Sequence, residues 1–459
     1  MTKNLFSRLN LDKTLLLLIF LSFVIFNISS YFHITKFKEV PSSSNEFPKL
    51  LSSPPEMNIW NKAYKFKNKD LKISNIQDYE YRHHFLPPKI LGLAGKFFGI
   101  EFYENNKISF KGIYKFFLFQ TIFFYLSVIF FYKKLKSINL NNKIIYVSIC
   151  FLLFDPNINQ YKYTIFGETI FFSILIFIFS FLIDLPKKKI PYIFLGILIS
   201  ICYLQRSVAM FLILVPIIAL LLKFRSSSIP KIFNLLISFG IILIILGYLN
   251  FSRSNVFYVL PTQTVDNLYN YFLYKVEKKR HNFKSEIEAK EKLKKKKDEY
   301  AINNNLNLDK EVDRIKYYKW QRDAAIDILM QNKTITMIAA LKSSLHSTLL
   351  NPTEILSKRI YGKNYYKSDL HQKTIKFRIL YSLSVYIIIF FGFIYSVRKK
   401  LHFMHILLLV ALYFFTISSW VGYTRYFVPT YLCLSLYFGS GVFYLNSFFK
   451  KTINNYLHV

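Results

Sequence analysis

Cysteine is nearly absent. Cys150, Cys202 and Cys433 are the three in 459 residues. Each sits inside an apolar run, so neither a disulfide framework nor a metal knuckle can be drawn from them, and they read as small core residues. Acids are scarce too: 26 Asp and Glu stand against 61 Lys and Arg, for a formal net charge of +35. Internal repeats and heptad arrays are missing. There is no GxSxG nucleophile elbow, P-loop, HExxH or GxGxxG, and the chemistries those motifs carry have no support here. The basic, then apolar, start MTKNLFSRLNLDKTLLLLIFLSFVIFNISS lacks a small-residue cleavage site. It predicts an uncleaved first helix rather than a signal peptide.

Apolar residues are abundant, at 53% of the chain, with 19% aromatic and a mean hydropathy of +0.26. They come in blocks at about 14–30, 113–132, 144–155, 164–184, 190–205, 207–222, 232–250, 377–397, 403–419 and 427–447. Nearly uncharged runs of roughly 18 residues or more read as transmembrane helices. Block 144–155 is short, roughly 18 Å of helix against a hydrocarbon core of ~30 Å. Residues 190–222 also read as one helix interrupted by Arg206.

The positive charge does not point to nucleic acid. Lys, Asn, Ile, Phe and Tyr are over-used together, a drift of the whole composition, and a membrane-embedded chain offers no long basic groove to a phosphate backbone. Much of the charge sits in short loops instead: Lys133, Lys134 and Lys136; Lys187, Lys188 and Lys189; Lys223, Arg225 and Lys231; Arg398, Lys399 and Lys400; Lys450 and Lys451. Such loops prefer the cytoplasm. An even number of crossings must then separate each cluster from the next, which requires two spans within 144–184 and two within 190–222. The expectation is an all-α polytopic membrane protein with about ten transmembrane helices.

With that topology, several ionisable groups share the outer face. They include QDYEYRHHFLPP (77–88) in the loop 31–112, the turn DPNINQYKY (155–163), the junction YLQRS (203–207), the loop 251–376 and the junction GYTRY (422–426). The first loop ends in PPKILGLAGKFFG, and the second contains TITMIAALKSSLHSTLL with Ile338, Leu341, Leu345 and Leu349 on one face; both predict helices on the membrane surface. The run EKLKKKKDEY reads as a solvated helix face. Three parts follow: an N-terminal membrane module over 1–250, an outer segment over 251–376 and C-terminal helices over 377–459.

Arg82, Arg206 and Arg425, with His83 and His84, suit a substrate carrying a phosphate, since arginine binds phosphate through parallel hydrogen bonds. Alone, Arg206 reads equally well as an arginine snorkelling to the interface. Glu168 is either a site carboxylate or an acid stabilised at a helix N-terminus. Asp78 and Glu80, two apart, would point the same way in extended chain, and either could serve as a general base. Adjacent His83 and His84 point to opposite faces in extended chain, which disfavours a shared metal. No metal ligand set is visible and no cofactor is implied.

These stretches, taken in order, resemble the GT-C superfamily of membrane glycosyltransferases, in particular bacterial relatives of the dolichyl-phosphate-mannose–protein mannosyltransferases. HHFLPPKILGLAGKFFG is similar to the family's PP-containing run into an interfacial helix. DPNINQYKYTIFGETIFFSILIF is similar to the turn and acid-bearing fourth helix, and YTRYFVPTYLCLSLYFGSG to the closing R-Y-x-x-P helix, which brings in Tyr426. ICYLQRSVAMFLILVPIIALLL matches a stretch that usually reads T-R-P, with Ser207 in place of the proline. VDNLYNYFLYK and RDAAIDILMQN look like the long outer loop after the seventh helix. The resemblance implies a GT-C-like fold and inverting transfer of a sugar from a polyprenyl-phosphate donor to a glycan, lipid or protein acceptor. The base would be a first-loop acid among Asp70, Asp78 and Glu80, with Asp78 favoured, and Arg206, Arg425, Arg82 or a histidine would stabilise the leaving phosphate. The competing readings are an O-antigen polymerase or ligase type of enzyme, which calls for no first-loop base, and a transporter or flippase of a charged lipid, which calls for polar groups near the bilayer midplane.

Overall fold

In a computed structural model, the described residues are 12–38, 54–68, 86–104, 107–259, 268–308, 310–349, 369–421 and 426–457. Within them the chain is helical apart from one two-stranded antiparallel hairpin, β1 (Tyr103–Glu104) and β2 (Lys107–Ile108). The apolar runs set the helices. They are α1 (Lys13–Lys38), α4 (Phe110–Ser137), α5 (Asn142–Phe154), α6 (Glu168–Ile183), α7 (Pro191–Gln205), α8 (Leu214–Phe224), α9 (Ile229–Ser254), α14 (Asp369–Arg398), α15 (His402–Val421) and α16 (Val428–Leu457). Pro54–Asn68 forms α2 and Leu86–Phe97 forms α3, and the segment between α9 and α14 folds into α10 (Tyr274–Arg280), α11 (Glu286–Asn303), α12 (Glu311–Gln331) and α13 (Lys333–Leu349).

Among the described residues, six helical stretches are long and apolar enough to cross a membrane: Lys13–Tyr31, Phe110–Ser137, Ser207–Ser252, Lys373–Arg398, His402–Trp420 and Val428–Lys450. Three shorter apolar helices, α5, α6 and α7, stand among them. Large apolar side chains such as Phe20, Ile244 and Phe390 face outward, a surface that lipid, not water, accommodates. The protein is an integral membrane protein.

Helix ends sort by charge. At one end Asp12 accepts from Tyr132 and Tyr146, Lys134 Nζ donates to Asp184 Oδ2 at 2.7 Å, and Arg398 Nη1 donates to Tyr444 Oη at 2.6 Å. This basic end carries the lysine clusters of the short loops. At the opposite end Tyr114 Oη donates to Asn27 Oδ1 at 2.5 Å and Gln205 Nε2 to the Gly167 carbonyl at 2.9 Å. The chain does break at Arg206, whose extended backbone separates α7 from a 3-10 turn, Ser207–Ile213, that leads into α8.

Close helix crossings use glycine. A Cβ on Gly392 of α14 would strike the Tyr437 carbonyl, one on Gly441 of α16 the Ile388 carbonyl, and one on Gly439 the Ile144 carbonyl of α5. Small residues let backbones approach where lipid supplies no hydrophobic drive between helices. Cysteine behaves only partly as expected: Cys202 and Cys433 are buried, but Cys150 is exposed. α5 packs through Ile144, Ile145, Ser148, Ile149 and Leu152, which turns position 150 outward.

The segment between α9 and α14 has its own small core of Tyr269, Phe272, Leu273, Val276, Leu293 and Leu329. The lysine run lies on α11, where Ala289 and Leu293 are the buried residues, so its charged face is solvated. On α13 the buried face is Thr336, Ala339, Ser343, Ser344 and Ser347, while Met337, Leu341 and Leu345 are 65%, 60% and 60% exposed. Its greasy side therefore points away from the protein, as a helix resting on a membrane surface requires. α3 likewise buries Pro87, Leu91 and Ala94 and leaves Phe97 outward.

Candidate functional site

Of the residues singled out in the sequence, Asp70, Asp78, Glu80, Arg82, His83, His84 and Arg425 lie outside the described residues. Tyr426 is buried just ahead of α16. Glu168 and Arg206, distant in sequence, meet: the Arg206 guanidinium donates to Glu168 Oε1, and the side chains are 4% and 5% exposed respectively. Arg206 does not snorkel. A guanidinium this deep needs a fixed counter-charge, because an unpaired buried ion loses several kcal/mol of hydration.

The local sequence builds this pair. Glu168 is the first residue of α6, and Gly167 before it adopts φ +75°, a left-handed conformation that glycine takes without penalty. An added Cβ there would meet the Gln205 amide and lie 3.7 Å from Pro87 Cβ. The start of α3, the turn before α6 and the end of α7 thus abut at one point. Thr164 Oγ1 donates to Glu168 Oε2 at 3.3 Å, so the carboxylate is held from both sides.

The turn 155–167 holds further groups that sequence reasoning passed over. Asp155 caps the short helix Pro156–Asn159, Oδ1 accepting from the Ile158 N–H at 3.0 Å, with proline at the favoured first position. Its Oδ2 accepts from Tyr381 Oη of α14 at 2.5 Å. Burial pushes this carboxyl up to about 6, against the hydrogen bonds from Tyr381 and Ile158. Lys162 is enclosed as well. Its ammonium lies 4.8 and 5.1 Å from the ring centres of Tyr125 and Phe124 and 3.4 Å from Ser22 Oγ, and burial brings its pKa down to about 7. Lys89 on α3 is lowered to about 8 by burial.

Neutral polar groups crowd the same turn. Gln120 Nε2 of α4 donates to the carbonyls of Lys162 and Thr164 at 2.7 and 3.0 Å. Gln120 Oε1, Gln160 Oε1, Thr169 Oγ1 and Gln205 Oε1 are buried without a hydrogen-bond partner among the described residues. Buried polar atoms are almost always satisfied in folded proteins, so each of these atoms marks a position that water or a polar ligand would satisfy.

The one signal for Asp155 in the sequence was Asp-Pro closing an apolar run, the mark of a helix start. Nothing local pointed to Tyr381. Among the described residues no group of three or more His, Cys, Asp or Glu could hold a metal ion. The arrangement fixes a guanidinium beside a carboxylate among buried amide and hydroxyl groups. Compared with known protein families, curated proteins and solved structures, the chain matches none.

Proposed function

We propose that the protein is a GT-C-like glycosyltransferase that moves a sugar from a polyprenyl-phosphate donor to a glycan, lipid or protein acceptor. What supports this most is the gathering of Asp155, Glu168, Arg206 and the unpartnered amides at the end of the bundle opposite the lysine clusters. α3, into which residues 69–85 lead directly, packs at that same point. Dividing Ser207–Ser252 at its turn and adding the three shorter helices gives ten crossings, the number that the basic loops require if all face the cytoplasm. The site would then face the periplasm or the cell exterior.

In this reading Asp78 removes the proton of the acceptor hydroxyl, with Glu80 and Asp70 as the other acids to test. The hydroxyl oxygen attacks the anomeric carbon as the bond from that carbon to the phosphate oxygen breaks, with inversion, and the phosphate leaves with the electron pair. That leaving group needs no proton, only stabilisation of its growing charge. Arg206 supplies it, oriented by Glu168, with Arg425, Arg82, His83, His84 and Tyr426 completing the phosphate and sugar contacts. Glu168 lies at the first turn of α6 rather than in its middle, which gives no support to a transporter with charge at the midplane.

The test is transfer from a panel of radiolabelled polyprenyl-phosphate hexoses and pentoses by membranes carrying the protein. Asp78→Asn should abolish transfer with the protein inserted at wild-type level. Full activity in Asp70→Asn, Asp78→Asn and Glu80→Gln alike would remove the base assignment, and a deletion strain with an unchanged glycan profile would remove the function.

A further inference from the structure

At the basic end, far from the site above, α6, α8 and α15 leave a cavity of about 860 Å³. α15 meets the Ser207–Ile213 turn through Tyr413, which accepts from the Phe211 N–H at 3.3 Å, but the two helices part toward His402. The walls are aliphatic, with Leu182 from α6 and Ala219 and Leu222 from α8. The polar side chains in the lining are Lys223, in the last turn of α8, and His402 and His405, in the first turn of α15. Leu222 is 74% exposed and His402 is exposed, so the cavity opens sideways where lipid would stand.

The charge at its mouth is positive. Lys223 Nζ donates to the Leu185 carbonyl at 3.1 Å and lies 3.9 Å from Asp184, a carboxylate that Lys134 also engages at 2.7 Å. Two lysines therefore share one acid, and the ammonium has three donors to place. The N-terminus of the 20-residue helix α15 adds its own partial positive charge at the same spot. Its size falls within the roughly 300–1,000 Å³ of ligand sites, and an apolar body with a few convergent polar groups is their usual chemistry.

We propose that this cavity holds an acyl chain of an anionic phospholipid from the leaflet at the basic end, its phosphate resting on Lys223, His402 and the first N–H groups of α15. Phospholipid is the amphiphile that surrounds the opening, and basic pockets between transmembrane helices favour anionic headgroups. This site depends on membrane embedding alone and is independent of the glycosyl-transfer reading.

The test is native mass spectrometry of the full chain released from nanodiscs of equal phosphatidylglycerol and phosphatidylcholine. Wild type should retain phosphatidylglycerol over phosphatidylcholine by at least about fivefold, the preference that one basic contact gives at an anionic surface. Lys223→Gln combined with His402→Gln should bring the ratio near unity. A photoactivatable phosphatidylglycerol with its reactive group on the acyl chain, applied to wild type alone, should label 182–185, 219–223 or 402–409, which keeps the test decisive if the double variant fails to fold. Equal retention of both lipids by wild type would overturn the proposal. So would undiminished preference in a monodisperse double variant, labelling elsewhere, or displacement of phosphatidylglycerol by equimolar polyprenyl phosphate.

Discussion

The Glu168–Arg206 pair separates structure from chemistry by a double-mutant cycle. Both partners are buried, so neutralising one leaves the other charge buried and uncompensated. Breaking such a pair is destabilising by roughly 3–5 kcal/mol, whereas replacing both charges with neutral groups of similar volume is often close to neutral. Glu168→Gln and Arg206→Met should therefore each lower the melting temperature sharply, and the combination should recover most of the loss. Coupling should stand well above the ~0.5 kcal/mol seen for independent sites. Cys202 and Cys433 are buried, so a thiol-reactive dye reports unfolding in detergent, and Cys150→Ser removes the exposed background. Sugar transfer is then measured on the same samples. Recovery of stability without recovery of transfer is the expected outcome, since an arginine serving a phosphate has no substitute in methionine. A Glu168→Gln protein that melts like wild type would refute the buried ion pair, and a double variant that regains full transfer would refute the role given to Arg206.

Two further outcomes follow from the geometry. Burial lifts the Asp155 carboxyl from 3.8 to about 6, so the folded protein holds that proton more tightly than the unfolded chain. Its contribution to stability is present at low pH and falls as pH rises from about 4 to 6, by on the order of 3 kcal/mol. Asp155→Asn keeps the Oδ1 acceptor for the Ile158 N–H and turns its amide N–H to the Tyr381 hydroxyl, which can accept from it, and it should flatten this part of the melting-temperature profile; a slope that survives the substitution would assign the titration elsewhere. Gly441→Ala should loosen α16 from α14, because the new methyl meets the Ile388 carbonyl, and overpacking of this kind typically destabilises by about 1–3 kcal/mol. Gly240→Ala, where a Cβ meets nothing within 4 Å, should leave the melting temperature level or raise it.

The helical architecture was legible because hydropathy runs and basic loops carry it locally. Arg206 and Glu168 were each visible as odd charges beside apolar blocks, but their pairing was not, since it depends on how the ends of α6 and α7 meet 38 residues apart. Asp155 and Lys162 were visible only as part of a turn expected on the outer face. They are buried because α1, α4 and α14 close over the turn, through Ser22, Gln120 and Tyr381. Leu341 and Leu345 do share one exposed face of α13, because a helix carries its apolar period in its own sequence.

The glycine crossings carry a consequence for biogenesis. α16 lies in the slot between α5 and α14, seated by Gly439 on one flank and Gly441 on the other, and Tyr381 reaches back 226 positions to Asp155. A ribosome that has released only the early helices has made a carboxylate whose hydroxyl donor is not yet synthesised. This hydrogen bond cannot form until α14 has been made, and only with α16 seated between α5 and α14 is the first half of the chain joined to the last.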